Sequence, residues 1–178
     1  MERDKIYIGS RSSKLALIYA NKARKEIAKY YHGELIIKEI NTTGDKKLDI
    51  RLSEIGGKGL FSKNIEDELL NETIDIAVHA LKDLPSFETD GLITNCFLRR
   101  GFSNEVMISN SNKKLNELVP GSIVGTSSFR REFQLKKIRK DLNFKLIRGN
   151  VDTRLKKLKS GEYDAIILSK AGLSALNL

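Results

Sequence analysis

Cysteine is almost missing from this chain. The single residue, Cys96 in 178, excludes an internal disulfide and any cysteine-rich zinc site. Long apolar runs are missing too. A membrane helix needs roughly 18 consecutive apolar residues, and "LALIYA" is among the longest stretches here. The opening "MERDKIYIGSR" lacks the apolar core of a secretory signal and runs directly into strand-like sequence. A reducing cytoplasm is therefore the expected location. Only two histidines occur, His32 and His79, and their separation gives no metal-binding spacing. Low-complexity tracts and solenoid-type repeats are also absent from the sequence.

What is present supports a packed core. Hydrophobic residues make up 40% and charged residues 31%, in a length that fits one large or two small domains. The formal charge of +9 is unevenly distributed. Residues 1–98 hold 15 Lys and Arg against 16 Asp and Glu, whereas residues 99–178 hold 17 against 7. A basic second half fits a solvated or nucleic-acid-binding surface. It equally fits a pocket for a small polyanion, and charge alone leaves both open.

Strand and helix patterns alternate along the chain. "KIYIGS" reads as a strand and residues 12–30 as a helix, with Leu15, Ile18, Ala23 and Ile27 at helical spacing and Ser12 or Ser13 as its cap. "ELIIKEIN" alternates as a strand does. A glycine-bearing loop follows at 43–60, long enough to imply function or mobility. "LFSKNIEDELLN" reads as an amphipathic helix, "IDIAVHA" as a strand containing His79, and "LITNCFL" as another strand. Pro85 blocks simple continuation of "LKDLP". The pattern breaks near Arg99–Asn104 and restarts. "EVMIS", "SIVG", "NFKLIRG" and "YDAIIL" read as strands. Between them lie a short helix in "NSNKKLNELVPG", a helix in "SSFRREFQLKKIRK", and one in "VDTRLKKLKSG" ending on Gly161. Phe129, Phe133, Leu135 and Ile138 are the expected apolar positions of the middle helix. The expected fold class is α/β with mainly parallel sheets, as two lobes, 1–98 and 99–178, with a cleft between them.

Several strand ends carry anion-binding groups. "GTSSFRR" puts Thr126, Ser127 and Ser128 at a strand-to-helix junction, followed by Arg130 and Arg131. The first turn of a helix offers unpaired N–H groups and partial positive charge. Hydroxyls add short donors, and guanidiniums add forked ones suited to carboxylate or phosphate. A plainer alternative makes a serine an ordinary N-cap and leaves the arginines on the surface. The same arrangement recurs with Arg148, Gly149 and Arg154 in "LIRGNVDTR", with Lys170, Ala171 and Gly172 in "LSKAGL", and with Arg11, Ser12 and Ser13 in "IGSRSS". Ligands of α/β sheets bind outside the carboxyl ends of strands, so these groups point to a multiply charged anion. Asp83 in "VHALKDLP" is the acidic counterpart, able to stabilise a cation or exchange a proton, or simply to pair with Lys82. "GGKGLF" carries Lys58 in a flexible loop and lacks the full phosphate-loop pattern.

Together, "SRSSKLAL", "TTGD", "GGKGLF", "DIAVHALKDLP", "LVPGSIVGTSSFRR", "LIRGNVDTRLKKL" and "GEYDAIILSKAGL" resemble the porphobilinogen deaminase (hydroxymethylbilane synthase) family, in the family's order and over nearly the whole chain. The resemblance implies two periplasmic-binding-protein-like lobes and a transferase of tetrapyrrole and heme biosynthesis. Such enzymes condense four porphobilinogen units with release of ammonia. It makes Asp83 the catalytic aspartate, contacting pyrrole N–H groups and stabilising the cation formed as ammonia leaves, with Lys82 accompanying it in holding the cofactor's acids. It implies that Arg11, Ser13, Arg130, Arg131, Arg148 and Arg154 bind acetate and propionate groups. Thr126, Ser127, Ser128, Gly149, Ala171 and Gly172 would line the site of a dipyrromethane cofactor. Lys58 would belong to a mobile loop. The family is usually monomeric.

The sequence also departs from the family pattern. Family members continue into a third domain whose loop cysteine anchors the cofactor. No segment here matches it, and Cys96, expected to be a buried thiol, is not that cysteine. The chain is thus expected to be C-terminally shortened and to need that part from elsewhere, for instance a second polypeptide. Ala175 stands where an arginine is usual, Ala80 where a serine is common, and Lys14 where a proline is common. The alternative function is a non-catalytic binding module for a polycarboxylate small molecule. Nucleic-acid binding would follow from charge alone, but no reader motif supports it.

Overall fold

The structure is a computed structural model that describes residues 4–42 and 59–178. The chain divides into two compact units, Met1–Arg100 and Gly101–Leu178.

In the first unit, β1 (Lys5–Arg11) leads into α1 (Lys14–Ile27), β2 (Glu34–Ile40), α2 (Lys63–Leu70) and β3 (Ile76–Ala77). The sheet order is β2-β1-β3, and both pairings are parallel, with Lys5 opposite Glu34 and Ile8 opposite Ile76. The central strand carries the fully buried Ile8 and Ser10. Ile40, Ile65 and Ile74 form a cluster beside it. Gly9 makes that packing possible, because a Cβ there would lie 2.3 Å from Ile74 Cδ1. Ser13 caps α1 by accepting the Ala16 N–H at 3.4 Å. The helix ends on Ile27, and Lys29 and Tyr30 continue only as turns bonded to Glu26 and Ile27.

The second unit comprises β4 (Glu105–Ser109), a 3-10 turn (Leu115–Glu117), β5 (Ile123–Gly125), α3 (Phe129–Ile138), β6 (Asn143–Lys145), α4 (Val151–Lys159), β7 (Ala165–Ser169) and α5 (Lys170–Ala175). Its order is β4-β7-β5-β6, parallel except that β4 runs antiparallel to β7. The unbroken apolar run "AIIL" in β7 suits a strand covered on both faces. Alternation of side chains then feeds two cores. Ala165 and Ile167 join Leu118, Val124 and Leu142, while Ile166 and Leu168 join Ile147, Leu158 and Tyr163. Arg139 ties the turn under this core by donating to the carbonyls of Leu115 and Leu118 while bridging Asp141.

Five sequence expectations need correction. "LITNCFL" is not a strand: residues 92–98 have no ladder partner among the described residues, and Ile93 and Phe97 are exposed. Alternating hydrophobicity specifies a strand only where a neighbour accepts its hydrogen bonds. Cys96 in that segment is accordingly exposed, not buried. "IDIAVHA" supplies only Ile76 and Ala77 to the sheet, and His79 lies beyond the strand. In α3, Leu135 packs on the core, but Phe129, Phe133 and Ile138 are 57%, 61% and 70% exposed. β5 and β6 are only three residues long, so the sheet beneath α3 can cover just one stripe of it. The expected helix in "NSNKKLNELVPG" is a single 3-10 turn.

Ile166 is fully buried at the centre of the second sheet. Ile166→Ala is expected to lower the unfolding free energy by about 2–5 kcal/mol, and Ile166→Val by about 0.5–1.5 kcal/mol. Urea unfolding followed by circular dichroism checks both. Equal midpoints for the two variants would contradict this packing.

Candidate functional site

Each unit places one cluster of charged side chains at strand ends. In the first, Arg11 closes β1 and Ser13 is spent as the α1 cap. Beyond β3, the Val78 N–H still bonds the Gly9 carbonyl at 3.0 Å, and the chain then turns through Leu81–Asp83. This turn brings Asp83 back toward β1. Arg11 Nη1 lies 3.9 Å from Asp83 Oδ2, and Lys82 Nζ lies 2.6 Å from Asp83 Oδ1. The Arg11 and Asp83 side chains are both 18% exposed, whereas Lys82 is largely in solvent. Phe61 stacks on the Arg11 guanidinium, 4.1 Å from ring centre to Cζ, which holds the cation while leaving its edge for hydrogen bonds. Lys58 and most of the 43–60 loop lie outside the described residues; only Gly59 and Leu60 of that loop are described.

In the second unit, the Thr126–Ser127–Ser128 run is used by the fold itself. Thr126 is buried, and its Oγ1 accepts the Ser128 N–H. Ser127 Oγ donates to the Ile147 carbonyl, and Ser128 caps α3 by accepting the Arg131 N–H. The hydroxyls therefore fix the loop that leads to Arg130 and Arg131. Arg130 and Arg131 share Glu105 of β4, at 2.7 and 2.6 Å. Burial pushes the Glu105 carboxyl up, but the hydrogen bonds from Arg130 and Arg131 outweigh it and hold it below the ordinary range. Nothing in the local sequence announces Glu105: it lies 25 residues before Arg130, and only the antiparallel seating of β4 brings it there.

Arg131, Arg148 and Arg154 form the cationic centre. Arg131 donates to the Ile167 carbonyl at 3.1 Å, yet its buried Nε has no hydrogen-bond partner among the described residues. Arg148 is 7% exposed, and burial lowers its pKa. Arg154 is pushed down to about 10, first by burial and then by repulsion from Arg148 and Arg131. Its Nε donates to the Gly149 carbonyl at 2.8 Å, and no carboxylate among the described residues pairs with it. Gly149 has φ +107, and a Cβ there would lie 2.8 Å from Thr153, so glycine is required to present that carbonyl. On the neighbouring strand end, Ser169 caps α5 by accepting the Gly172 N–H. Gly172 is buried, Ala171 is half-buried, and Lys170 lies over Phe102, 4.3 Å from its centroid. No group of three or more His, Cys, Asp and Glu among the described residues could hold a metal ion.

Residues 6–178 match the family model described as porphobilinogen deaminase, dipyromethane cofactor binding domain. The chain belongs to the porphobilinogen deaminase family. It is 49% identical to the porphobilinogen deaminase of Geobacillus kaustophilus over 174 residues, 96% of this chain and 56% of that one. Against the Bacillus subtilis protein the identity is 49%, covering 96% of this chain and 55% of the relative. Against the protein of Dictyostelium discoideum it is 47%, covering 99% and 57%. The chain thus spans about half the length of the curated relatives it matches. Solved structures resembling the backbone include an ancestral arginine-binding protein bound to glutamine (TM-score 0.46, 18% identity, 99% of this chain and 73% of that one). Another is the periplasmic aliphatic sulphonate binding protein of Escherichia coli (TM-score 0.44, 13% identity, 99% and 54%).

The porphobilinogen deaminase family implies a dipyrromethane group, and the second cluster fits a polycarboxylate of that kind. Three cations crowd together there. The buried Arg131 Nε has no hydrogen-bond partner among the described residues, and Arg154 is repelled by Arg148 and Arg131. Carboxylates would satisfy both.

Glu105 competes with such a ligand for Arg130 and Arg131. Glu105→Gln is expected to strengthen citrate binding, read as a larger rise in melting temperature at a fixed citrate concentration. Without ligand, the variant is expected to melt below wild type at pH 7. Because the folded-state pKa of Glu105 is depressed, its contribution is present above the ordinary carboxylate range and is lost as pH falls through the folded value. The difference between the two proteins is therefore expected to close in acid. A gap that persists at about pH 2, below the usual carboxylate range, would contradict this account.

Proposed function

We propose that this chain is the catalytic part of a hydroxymethylbilane synthase, a cytoplasmic transferase that condenses four porphobilinogen units and releases ammonia at each condensation. The observation that supports it most is the gathering of Arg131, Arg148 and Arg154, whose charges bring the Arg154 pKa down to about 10 together with burial. Porphobilinogen carries an acetate and a propionate, and each added unit brings two more carboxylates. A site that binds the growing chain needs repeated cations, and a basic second unit answers that need.

Roles follow from local chemistry. Arg131, Arg148 and Arg154 would hold the acid side chains of the dipyrromethane, with Lys170 and Arg130 at more exposed positions. When bound, that group supplies the pyrrole end from which the chain grows. Arg11 and Lys82 fix the position of the Asp83 side chain. That carboxylate would accept hydrogen bonds from pyrrole N–H groups of the substrate. It would also stabilise the positive charge that develops as the C–N bond to ammonia breaks. As a carboxylate it can also accept the proton that the attacked pyrrole carbon loses. A C-terminal domain, continuous with this chain or supplied as a separate polypeptide, would complete the family's enzyme and carry the anchoring cysteine.

The test is calorimetric binding of porphobilinogen, together with an ammonia-release assay on the same preparation. Arg154→Gln is expected to weaken binding by about 10- to 100-fold, the loss of one charged hydrogen bond. Asp83→Asn is expected to retain binding and lose about 10²–10⁴-fold in ammonia release. Binding by wild type without ammonia release, even with the C-terminal domain supplied, would instead favour a binding module, and no binding would reject both readings.

A further inference from the structure

Lys170 stands at the carboxyl end of β7, at the β7 end of the arginine cluster. Two observations put it there. Arg131 donates to the carbonyl of Ile167, in the same strand. Ser169, the residue before Lys170, lies opposite Glu105 in the ladder, and the Glu105 carboxylate reaches Arg130 and Arg131. Lys170 itself is exposed, and no carboxylate among the described residues pairs with its ammonium.

The segment that precedes β4 holds this lysine instead. Its backbone N–H donates to the Asn104 carbonyl at 2.9 Å. A Cβ on Gly101 would lie 3.9 Å from the Ala171 Cβ, an ordinary contact. Between these points the Lys170 Nζ lies 4.3 Å from the centre of the Phe102 ring. Phe102 is 53% exposed, so this large ring contributes little to either core of the unit. Its nearest charged neighbour is the ammonium it faces. Arg130 and Arg131 are held differently, by a carboxylate that also offsets their charge. An aromatic face attracts a cation through its quadrupole and carries no net charge. It localises the cation and leaves the whole charge for a ligand. Phe61 holds Arg11 of the first unit in the same way.

We propose that Phe102 is a positioning residue for Lys170, holding its ammonium where it takes one carboxylate of a polycarboxylate ligand. A lysine stem has four rotatable carbons, and ordering it on binding costs affinity. Stacking on Phe102 meets that cost before the ligand arrives, which is preorganisation. The inference rests on the polycarboxylate site proposed above.

Calorimetric titration of citrate into the 178-residue chain at low salt tests it. Phe102→Leu keeps an apolar side chain and removes the ring. It is expected to weaken binding by about 2- to 5-fold, the worth of one exposed cation–π contact. Phe102→Tyr is expected to retain wild-type affinity. Lys170→Gln is expected to weaken binding at least as much as Phe102→Leu. The double variant is expected to bind no more weakly than Lys170→Gln alone, because the ring acts only through the lysine. Unchanged affinity in Phe102→Leu, or losses that multiply in the double variant, overturns the proposal. A second readout needs no ligand. The Lys170 ε-methylene protons, assigned by their loss in Lys170→Gln, are expected to be shifted upfield by the ring and to return to the ordinary lysine position in Phe102→Leu. Protons at that ordinary position in wild type also overturn the proposal. A chain that binds neither citrate nor porphobilinogen overturns the proposed function instead, and the ring-current shift then decides the pairing of Phe102 with Lys170 by itself.

Discussion

Three guanidinium groups held together away from solvent repel one another, and the second unit is organised around that repulsion. Arg154 shows it most directly, with a pKa brought down to about 10 by burial and by Arg148 and Arg131. Backbone carbonyls provide part of the compensation. Gly149, in a conformation that side chains rarely adopt, presents its carbonyl to Arg154, and Ile167 of β7 presents its own to Arg131. Such dipoles fix direction without cancelling charge.

The first unit solves the complementary problem. It orients one carboxylate with a pair of cations and a tight turn. Asp83 pairs with its neighbour Lys82 and with Arg11 from the end of the central strand. Phe61 holds Arg11 from its face. The plain alternative for Asp83, a loop aspartate paired with the adjacent lysine, is therefore present in the geometry. It is compatible with the proposed function, because the same pairing fixes where the carboxylate lies. The hydroxyl run follows a similar logic. Thr126, Ser127 and Ser128 bond their own backbone, which is the capping alternative, and so fix the start of the helix that carries Arg130 and Arg131.

Much of this was legible in the chain itself. The period-2 and helical patterns located most elements, and β7 announced its two-sided burial through "AIIL". The motif order announced the family. The failures share one cause. "LITNCFL" alternates as a strand does, but alternation cannot supply a partner. Phe129, Phe133 and Ile138 have helical spacing, but spacing cannot reveal that the strands beneath are three residues long. Glu105 looked like an ordinary strand residue until β4 was laid antiparallel to β7.

The sequence by itself determined which groups are available at the strand ends: Arg11, Asp83, Arg131, Arg148 and Arg154, with Gly149 where only glycine serves. These are properties of residue type and local spacing, which travel with the chain. Tertiary structure alone decided which charges meet. It joined Glu105 to two arginines and gathered three guanidiniums. Electrostatic interaction depends on distance and on burial, and neither exists until the strands have been paired.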